Sequence, residues 1–306
     1  MAFSVKHNGT DITDKLDLTR CLLYDRYGGT LDNISLAFPP DSNTIAFDKN
    51  DEIEVKSDYY SSGKMYVDDC GSIENLFTIN AVSCKPMNKK RVSKMWASVS
   101  LQLLANDVAG QCGLGVKFYG VTNRIYESVY QDSETDLQFL KRICAREGLS
   151  VKIENGSLIV FSEYEIENNP EKTMKLTPDD ISNDWDFSRS INGLNQVTVS
   201  CFDFASGSMI EYTAKDNAVD GGSKHYKERV RDVAEAERFA KGYLRQANKE
   251  YVTGILTMPA KSNISACTVL ELSGFTDWDG KYVVYEVEHD VVLSRTNIKV
   301  RQVLTY

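Results

Sequence analysis

The sequence predicts an α+β fold dominated by strands, and three observations carry that expectation. Short apolar–polar alternations bounded by turn residues fill both ends of the chain. Three segments with helical spacing interrupt them, two in the middle and one late. Asn155-Gly156 lies between alternating apolar residues, among the strongest short-range signals for a β-hairpin.

From Phe3 to about Val82 the chain reads as strands. Thr10 to Leu18 is short and turn-rich. Leu22, Tyr24 and Tyr27 precede a Gly28-Gly29 turn, and Ile34, Leu36 and Phe38 alternate until Pro39-Pro40 stops them. Ile53 and Val55 alternate with Glu52 and Glu54, as in a half-buried strand. Ser61-Ser62-Gly63 turns the chain, Met65 to Val67 returns, and Leu76 to Val82 is a further strand.

The middle changes period. Ser100 to Gln111 places Leu101, Leu104, Ala105, Val108 and Cys112 on one helical face, with Gly113 at the C-terminal cap position. A second helix is expected over Glu134 to Glu147, where Ser133 and Asp136 have the spacing of a capping box. Leu137, Phe139, Leu140, Ile143 and Cys144 form its buried face and Gly148 ends it. Val151 and Ile153, the Asn155-Gly156 turn and Leu158 to Phe161 then make the hairpin. Strands resume at Met174. Gln196 to Phe204 and Met209 to Ala214 flank Ser206-Gly207. A third helix covers Val233 to Asn248, begun by Asp232 and Glu235, and Val269 to Leu304 is strand-rich. Residues 53–67 align without gaps to residues 270–284, an offset of 217 that points to a duplicated β-unit.

At 306 residues the chain has room for about two domains. The net charge of −9 comes with both signs interleaved, and Lys85 to Lys94, the most basic stretch, reads as a solvated loop. Sequence-specific nucleic-acid binding is therefore not expected. The start has no secretory h-region and no run approaches the roughly 18 apolar residues of a membrane span, so the expectation is cytoplasmic synthesis. The seven cysteines are scattered, without a CxxC, and read as buried free thiols. The sequons at Asn8, Asn33 and Asn263 carry little weight without a secretory route.

No residue pattern in the sequence points to a catalytic, cofactor-binding or metal-ligating role. His7, His225 and His289 are isolated from other ligand types, and no Gly-x-Ser-x-Gly elbow occurs. Gly113-Leu114-Gly115 follows a helix and lacks the third glycine of a dinucleotide fingerprint; Gly221-Gly222-Ser223 reads as a loop. Asp68-Asp69, Asp179-Asp180 and the pair Asp184 and Asp186 are acidic, but nothing around them has the oxygen spacing of a calcium loop, so solvated turns are favoured. Trp185 and Trp278 read as core or interface aromatics rather than a sugar platform.

The segment YQDSETDLQFLKRICAREGLSVKIENGSLIVF, Tyr130 to Phe161, resembles the signature of phage late control protein D and its relatives. These relatives include baseplate hubs of contractile phage tails and the valine–glycine repeat spike proteins of type VI secretion. The matching positions are Gln131, Thr135, Asp136, Leu137, Phe139, Leu140, Arg142 and Gly148, with Ala145 close by. Near the other end, Gly274-Phe275, Gly280, Tyr282, Val284, Val287 and His289 are similar to the closing strands of that family.

The resemblance implies two tail-tube-like β-barrel domains, residues 1–84 and 169–306, with a small α/β domain inserted at 85–168. The insert holds two helices and a hairpin, and the helix over 233–248 belongs to the second barrel domain. It further implies a structural, non-enzymatic hub: a homotrimeric ring under the tail tube and above the spike, beside other baseplate subunits. Such a ring is assembled in the bacterial cytoplasm and carried in a virion or tail-like bacteriocin. With no spike β-helix or lysozyme-like segment before Tyr306, spike and wall-degrading activity are expected on separate chains. Set against this reading are a cell-wall or carbohydrate-binding β-protein, a peptidoglycan hydrolase component, and the hub of a non-contractile tail.

Overall fold

A computed structural model describes residues 3–28, 30–40, 45–85, 91–182, 185–260 and 264–306. The first part carries β1 (Phe3–His7), β2 (Thr10–Asp11), β3 (Arg20–Arg26), β4 (Asn33–Phe38), β5 (Glu52–Ser57), β6 (Met65–Ile73) and β7 (Leu76–Val82). The middle adds β8 (Val92–Ser100), α1 (Leu101–Gln111), β9 (Gly115–Tyr119), β10 (Ile125–Glu134), α2 (Asp136–Arg146), β11 (Leu149–Glu154), β12 (Ser157–Ser162) and α3 (Glu163–Asn168). The last part has β13 (Thr173–Leu176), β14 (Trp185–Arg189), β15 (Leu194–Asp203), β16 (Ser208–Lys215), β17 (Gly222–Lys227) and α4 (Val233–Asn248). It closes with β18 (Val252–Pro259), β19 (Val269–Leu272), β20 (Gly280–Asp290) and β21 (Arg295–Gln302).

The fold is β-rich, as expected. One sheet of 13 strands runs β14-β18-β21-β20-β3-β4-β7-β6-β5-β1-β2, with β19 on β20 and β13 on β19. Its path is open, ending at β14 and β2, so the strands do not close into barrels within the chain. Two cores lie along it. Val5, Leu23, Ile34, Phe38, Ile53 and Ile79 belong to the first, and Leu256, Phe275, Tyr282, Val287 and Ile298 to the second. The seam is the antiparallel pairing of β20 with β3, from Glu286↔Arg26 to Asp290↔Leu22.

The offset of 217 recurs in the hydrogen-bond register. Ile53 pairs with Met65, and Leu270 pairs with Tyr282. A bulge falls between Val67 and Asp69 on β6 and between Val284 and Glu286 on β20. Asn50 and Cys267 both adopt positive φ, 72° and 73°. Both donate their N–H to a bulge-side carbonyl, that of Val67 and Val284 respectively. The path β3-β4-β7-β6-β5-β1 thus has a counterpart in β14-β18-β21-β20-β19-β13, with one difference: β1 is antiparallel to β5, whereas β13 is parallel to β19.

Between β14 and β18 the second part carries extra structure. β15, β16 and β17 form a three-stranded sheet, and α4 lays Ala236, Phe239, Ala240 and Leu244 on it. The inserted middle part has its own core, where α1 and α2 cover the sheet β11-β12-β9 with Leu104, Val108, Phe139, Leu140 and Ile143. β8 and β10 project from it as a two-stranded ribbon.

Local signals explain the helix limits. Ser100 Oγ accepts from Leu103 N at 3.1 Å, and Gly113, at φ 63°, ends α1. The capping box of α2 is not Ser133 with Asp136 but Thr135 with Gln138: Thr135 Oγ1 accepts from Gln138 N at 3.3 Å, and Gln138 Oε1 from Thr135 N at 3.1 Å. Ser133 sits in the bulge that ends β10, at φ 51°, and so cannot cap a helix that starts three residues later. Asp232 caps α4 by accepting from Glu235 N at 2.8 Å. Asn155 and Gly156 take φ of 46° and 69°, the two left-handed positions of a type I′ turn.

Candidate functional site

The motif block of α2 proves to be local architecture. Gln131 is fully buried, and its Nε2 donates to Glu134 O at 3.1 Å and Asp136 Oδ1 at 2.9 Å, fastening the bulge to the first turn of α2. Arg142 reaches back from the next turns to Glu134 with Nε at 2.9 Å and Nη2 at 2.8 Å, and to Tyr130 O at 2.7 Å. Those hydrogen bonds hold the Glu134 carboxyl below its usual range. Gln131, Thr135, Asp136 and Arg142 therefore fix where β10 hands over to α2, and Phe139 and Leu140 fill the core beneath.

Buried charge concentrates elsewhere, where the three parts of the chain meet. Lys152 of β11 is 6 % exposed and points across the seam. Its Nζ bonds Asp25 of β3 and lies 3.7 Å from Asp32 and 3.4 Å from Glu154. Asp25 Oδ2 also accepts from Ala266 N at 2.8 Å, and Asp32 Oδ1 from Arg26 N at 2.7 Å. One cluster thus touches the first part, the insert and the last part. Burial pushes the Asp32 carboxyl up to about 7; Lys152 pulls against this, and Asp25 adds to it. Burial disfavours the Lys152 ammonium, but Asp25, Asp32 and Glu154 together raise its pKa above the ordinary lysine value.

A second cluster joins α3, α4 and β21. Glu167 Oε1 accepts from Arg245 Nη1 at 2.8 Å and from Arg301 Nη2 at 2.6 Å, and Glu163 Oε2 stands 3.4 Å from Arg301. Arg245 also donates from Nε to Tyr306 O at 3.0 Å, and Leu304 N donates to Glu167 Oε2 at 2.9 Å. All four charged side chains are at most 2 % exposed. At the helix crossing, Arg146 Nη1 pairs with Glu228 at 3.0 Å while its guanidinium lies over Tyr126 and Phe239, and Arg238 Nε pairs with Glu147 at 3.0 Å. Apolar contact completes the joint through Tyr27, Phe161, Ala266, Val269 and Val283.

These charges act as cross-links. Each buried ion faces an opposite charge from another part of the chain, which satisfies it electrostatically and fixes relative placement. A hollow of about 590 Å³ opens beside Arg146, lined by Tyr126, Phe202, Phe204, Arg229 and Phe239 among others. Among the described residues no group of three or more His, Cys, Asp or Glu is arranged to hold a metal.

The histidines and acidic pairs singled out in the sequence are not brought together. His7 Nε2 meets Asp51 at 2.7 Å, and His225 Nε2 meets Ser200 Oγ at 2.7 Å. His289 is buried against the Tyr60 ring with Nδ1 3.0 Å from Thr296, and burial pulls its pKa down to about 4. Asp69 accepts from Asn80 Nδ2 at 3.1 Å on β6, Asp180 caps the turn at Thr177, and Asp186 lies on β14; Asp184 is outside the described residues. Gly113 ends α1 and Gly115 begins β9, while a Cβ on Gly221 would meet Gly193 O at 2.0 Å, so that glycine serves close packing. Trp278 stacks on Phe187 in the second core, and the exposed Trp185 meets Phe275 edge-on at its margin. The seven cysteines are free, with Cys70 exposed rather than buried. The basic stretch Lys85 to Lys94, the Gly28-Gly29 turn and the Asn263 sequon fall partly or wholly outside the described residues. No helix of the described residues is long and apolar enough to cross a membrane.

Solved structures of phage tail proteins share this architecture. The 43 kDa tail protein of prophage MuSo2 from Shewanella oneidensis aligns over 98% of both chains at 14% identity with a TM-score of 0.74. A tail protein from Neisseria meningitidis MC58 aligns over 99% of this chain and 98% of its own at 15% identity, also with a TM-score of 0.74. A component of the type VI secretion system from E. coli covers 97% of this chain and 76% of its own, at 10% identity and a TM-score of 0.62. At such identities the likeness is one of fold. No curated protein matches the sequence. The sequence profile of the phage tail baseplate hub (GPD) matches residues 84–294, more than half of the chain, and it takes in both the α2 block and the closing strands. The chain belongs to the phage tail baseplate hub (GPD) family.

Proposed function

We propose that three copies of this hub protein close into a ring that joins a tail tube above to a spike below, in a contractile phage tail or phage-tail-like bacteriocin. The observation that carries this reading is the doubled strand path, with the same order and the same register in its two halves. Three doubled chains supply six similar units, the number needed to meet a hexameric tube. In this reading residues 1–84 and 169–306 are the two tube-type barrel domains and 85–168 is the inserted domain. The half-sheets are open in the single chain, and neighbours in the ring complete the wall. The role is structural and the chain performs no catalysis: its buried charged groups are engaged in holding its own parts together. Assembly takes place in the bacterial cytoplasm, with other baseplate subunits alongside, and the ring leaves as part of the particle.

Native mass spectrometry of the purified protein, followed by electron microscopy, tests the reading. The expected result is a three-chain mass and a ring that copurifies with tube and spike subunits. A strictly monomeric protein that never associates with either would overturn it.

A further inference from the structure

We infer that successive copies in the ring join by a strand pairing that repeats the one inside the chain: Asp69–Ile73 of β6 on one copy against Asp186–Arg189 of β14, with the adjoining Ser190, on the next. The inference rests on the ring reading above and names its contact.

Strand partners run across the sheet in the same sequence in both halves. Asp69 pairs with Asn80, Asn80 with Ser35, and Ser35 with Leu22. In the second half Glu286 pairs with Lys299, Lys299 with Ile255, and Ile255 with Asp186. Asp69 is thus the counterpart of Glu286, and Asp186 that of Leu22. Inside the chain the Glu286–Asp290 edge pairs with Arg26–Leu22. The two equivalent edges, Asp69–Ile73 and β14, have no strand partner on that side among the described residues. Transferring the internal register places Asp69 opposite Ser190, Cys70 opposite Arg189, and Ile73 opposite Asp186.

Exposure agrees with that placement. Ile191 is 90% exposed, Ile73 58% and Trp185 41%, whereas their counterparts Tyr27, Asp290 and Cys21 are 8%, 8% and 0% exposed at the internal seam. Open strand edges flanked by apolar side chains invite pairing and are covered in a working assembly. Asp68 and Asp69 lie at one end of the acidic edge, and the transferred register sets Arg189, rather than Asp186, near them. Because the edges differ, the contact is head-to-tail, which yields a closed ring when the rotation closes.

Cys70 is free and exposed, so a single substitution tests the register. Under copper–phenanthroline oxidation, Arg189→Cys should produce linked dimers and trimers on a non-reducing gel, since directly opposed strand positions bring Cβ atoms within disulfide reach. Adding Cys70→Ser should abolish the links, and Ser188→Cys, which faces the other side of the strand, should stay at background. Ile191→Asp, at a site exposed in the single chain, should weaken assembly by about tenfold or more. A wild-type protein of three-chain mass whose Arg189→Cys variant stays unlinked, and whose Ile191→Asp variant assembles normally, overturns this pairing and leaves the ring standing. A wild-type protein that remains monomeric overturns both.

Discussion

A carboxylate that is 2 % exposed, such as Asp32, is ionised only if nearby charge offsets the solvation it loses on burial. Lys152 offsets part of that loss, and Asp25 competes for the same ammonium, so Asp32 titrates near 7 instead of its ordinary 3.8. The folded chain therefore keeps a proton that the unfolded chain releases, and this group's contribution to stability falls as pH rises from about 4 to about 7. His289 works in the opposite direction. Its folded pKa of about 4 lies below the ordinary 6.5, so its contribution is present above 6.5 and lost as pH falls towards 4. Asp32→Asn removes the first dependence, keeps an oxygen to accept from Arg26 N, and leaves the second. The variant should gain thermal stability relative to wild type at about pH 8 and change least at about pH 5, read from melting curves at the two pH values. Equal shifts at both would refute the assignment.

Helix α4 is held to α2 by shape as much as by charge. A Cβ on Gly242 would lie 2.1 Å from Arg146 O, a backbone atom, so the two helices approach as closely as they do because position 242 has no side chain. Gly242→Ala should therefore cost about 1–3 kcal/mol by pushing the helices apart, despite alanine's better helix propensity. Denaturant unfolding checks the sign: a stabilised variant would mean that the crossing is loose. At this scale much was legible in the sequence. Asn155-Gly156 announced its hairpin because both turn residues need positive φ, and Asp232 announced α4 because a cap must sit directly before its helix. The capping box of α2 lies two residues beyond the Ser133–Asp136 spacing because the bulge at Gln131–Glu134 adds residues that no periodicity reveals. Strands β8, β9 and β10 and the short α3 escaped as well. β8 and β10 form a ribbon with mostly exposed residues and so lack the alternation that marks a half-buried strand.

Across the whole molecule the duplication could be read from one short alignment, but the joint could not. Lys152 reads as the solvent side of a hairpin, yet β11 is buried on both faces and its partner Asp25 lies 127 positions away. Ala266, which shares Asp25, is 241 positions from it. Glu167 likewise holds Arg245 and Arg301, at separations of 78 and 134. Single-sequence patterns carry no information on pairs that far apart. The joint has a consequence for unfolding that the tryptophans can report. Trp96 stacks on Phe139 in the insert, whereas Trp278 packs in the second core and Trp185 rests on its Phe275. Glu167 sits on α3 of the insert and is bonded to Arg245 and Arg301, both of the last part, so it couples the regions that these probes watch. Removing one partner of a buried ion cluster costs about 3–5 kcal/mol, because the remaining charges are left uncompensated. In denaturant titrations, a Trp96→Phe variant and a Trp185→Phe/Trp278→Phe variant should report one shared midpoint. Adding Glu167→Ala to each should lower both midpoints and separate them, with the second core unfolding first because Arg301 on its β21 then faces Glu163 at 3.4 Å without the closer Glu167. Midpoints that stay coincident after Glu167→Ala would show that the apolar contacts around Tyr27 and Phe161 couple the parts without the buried charges.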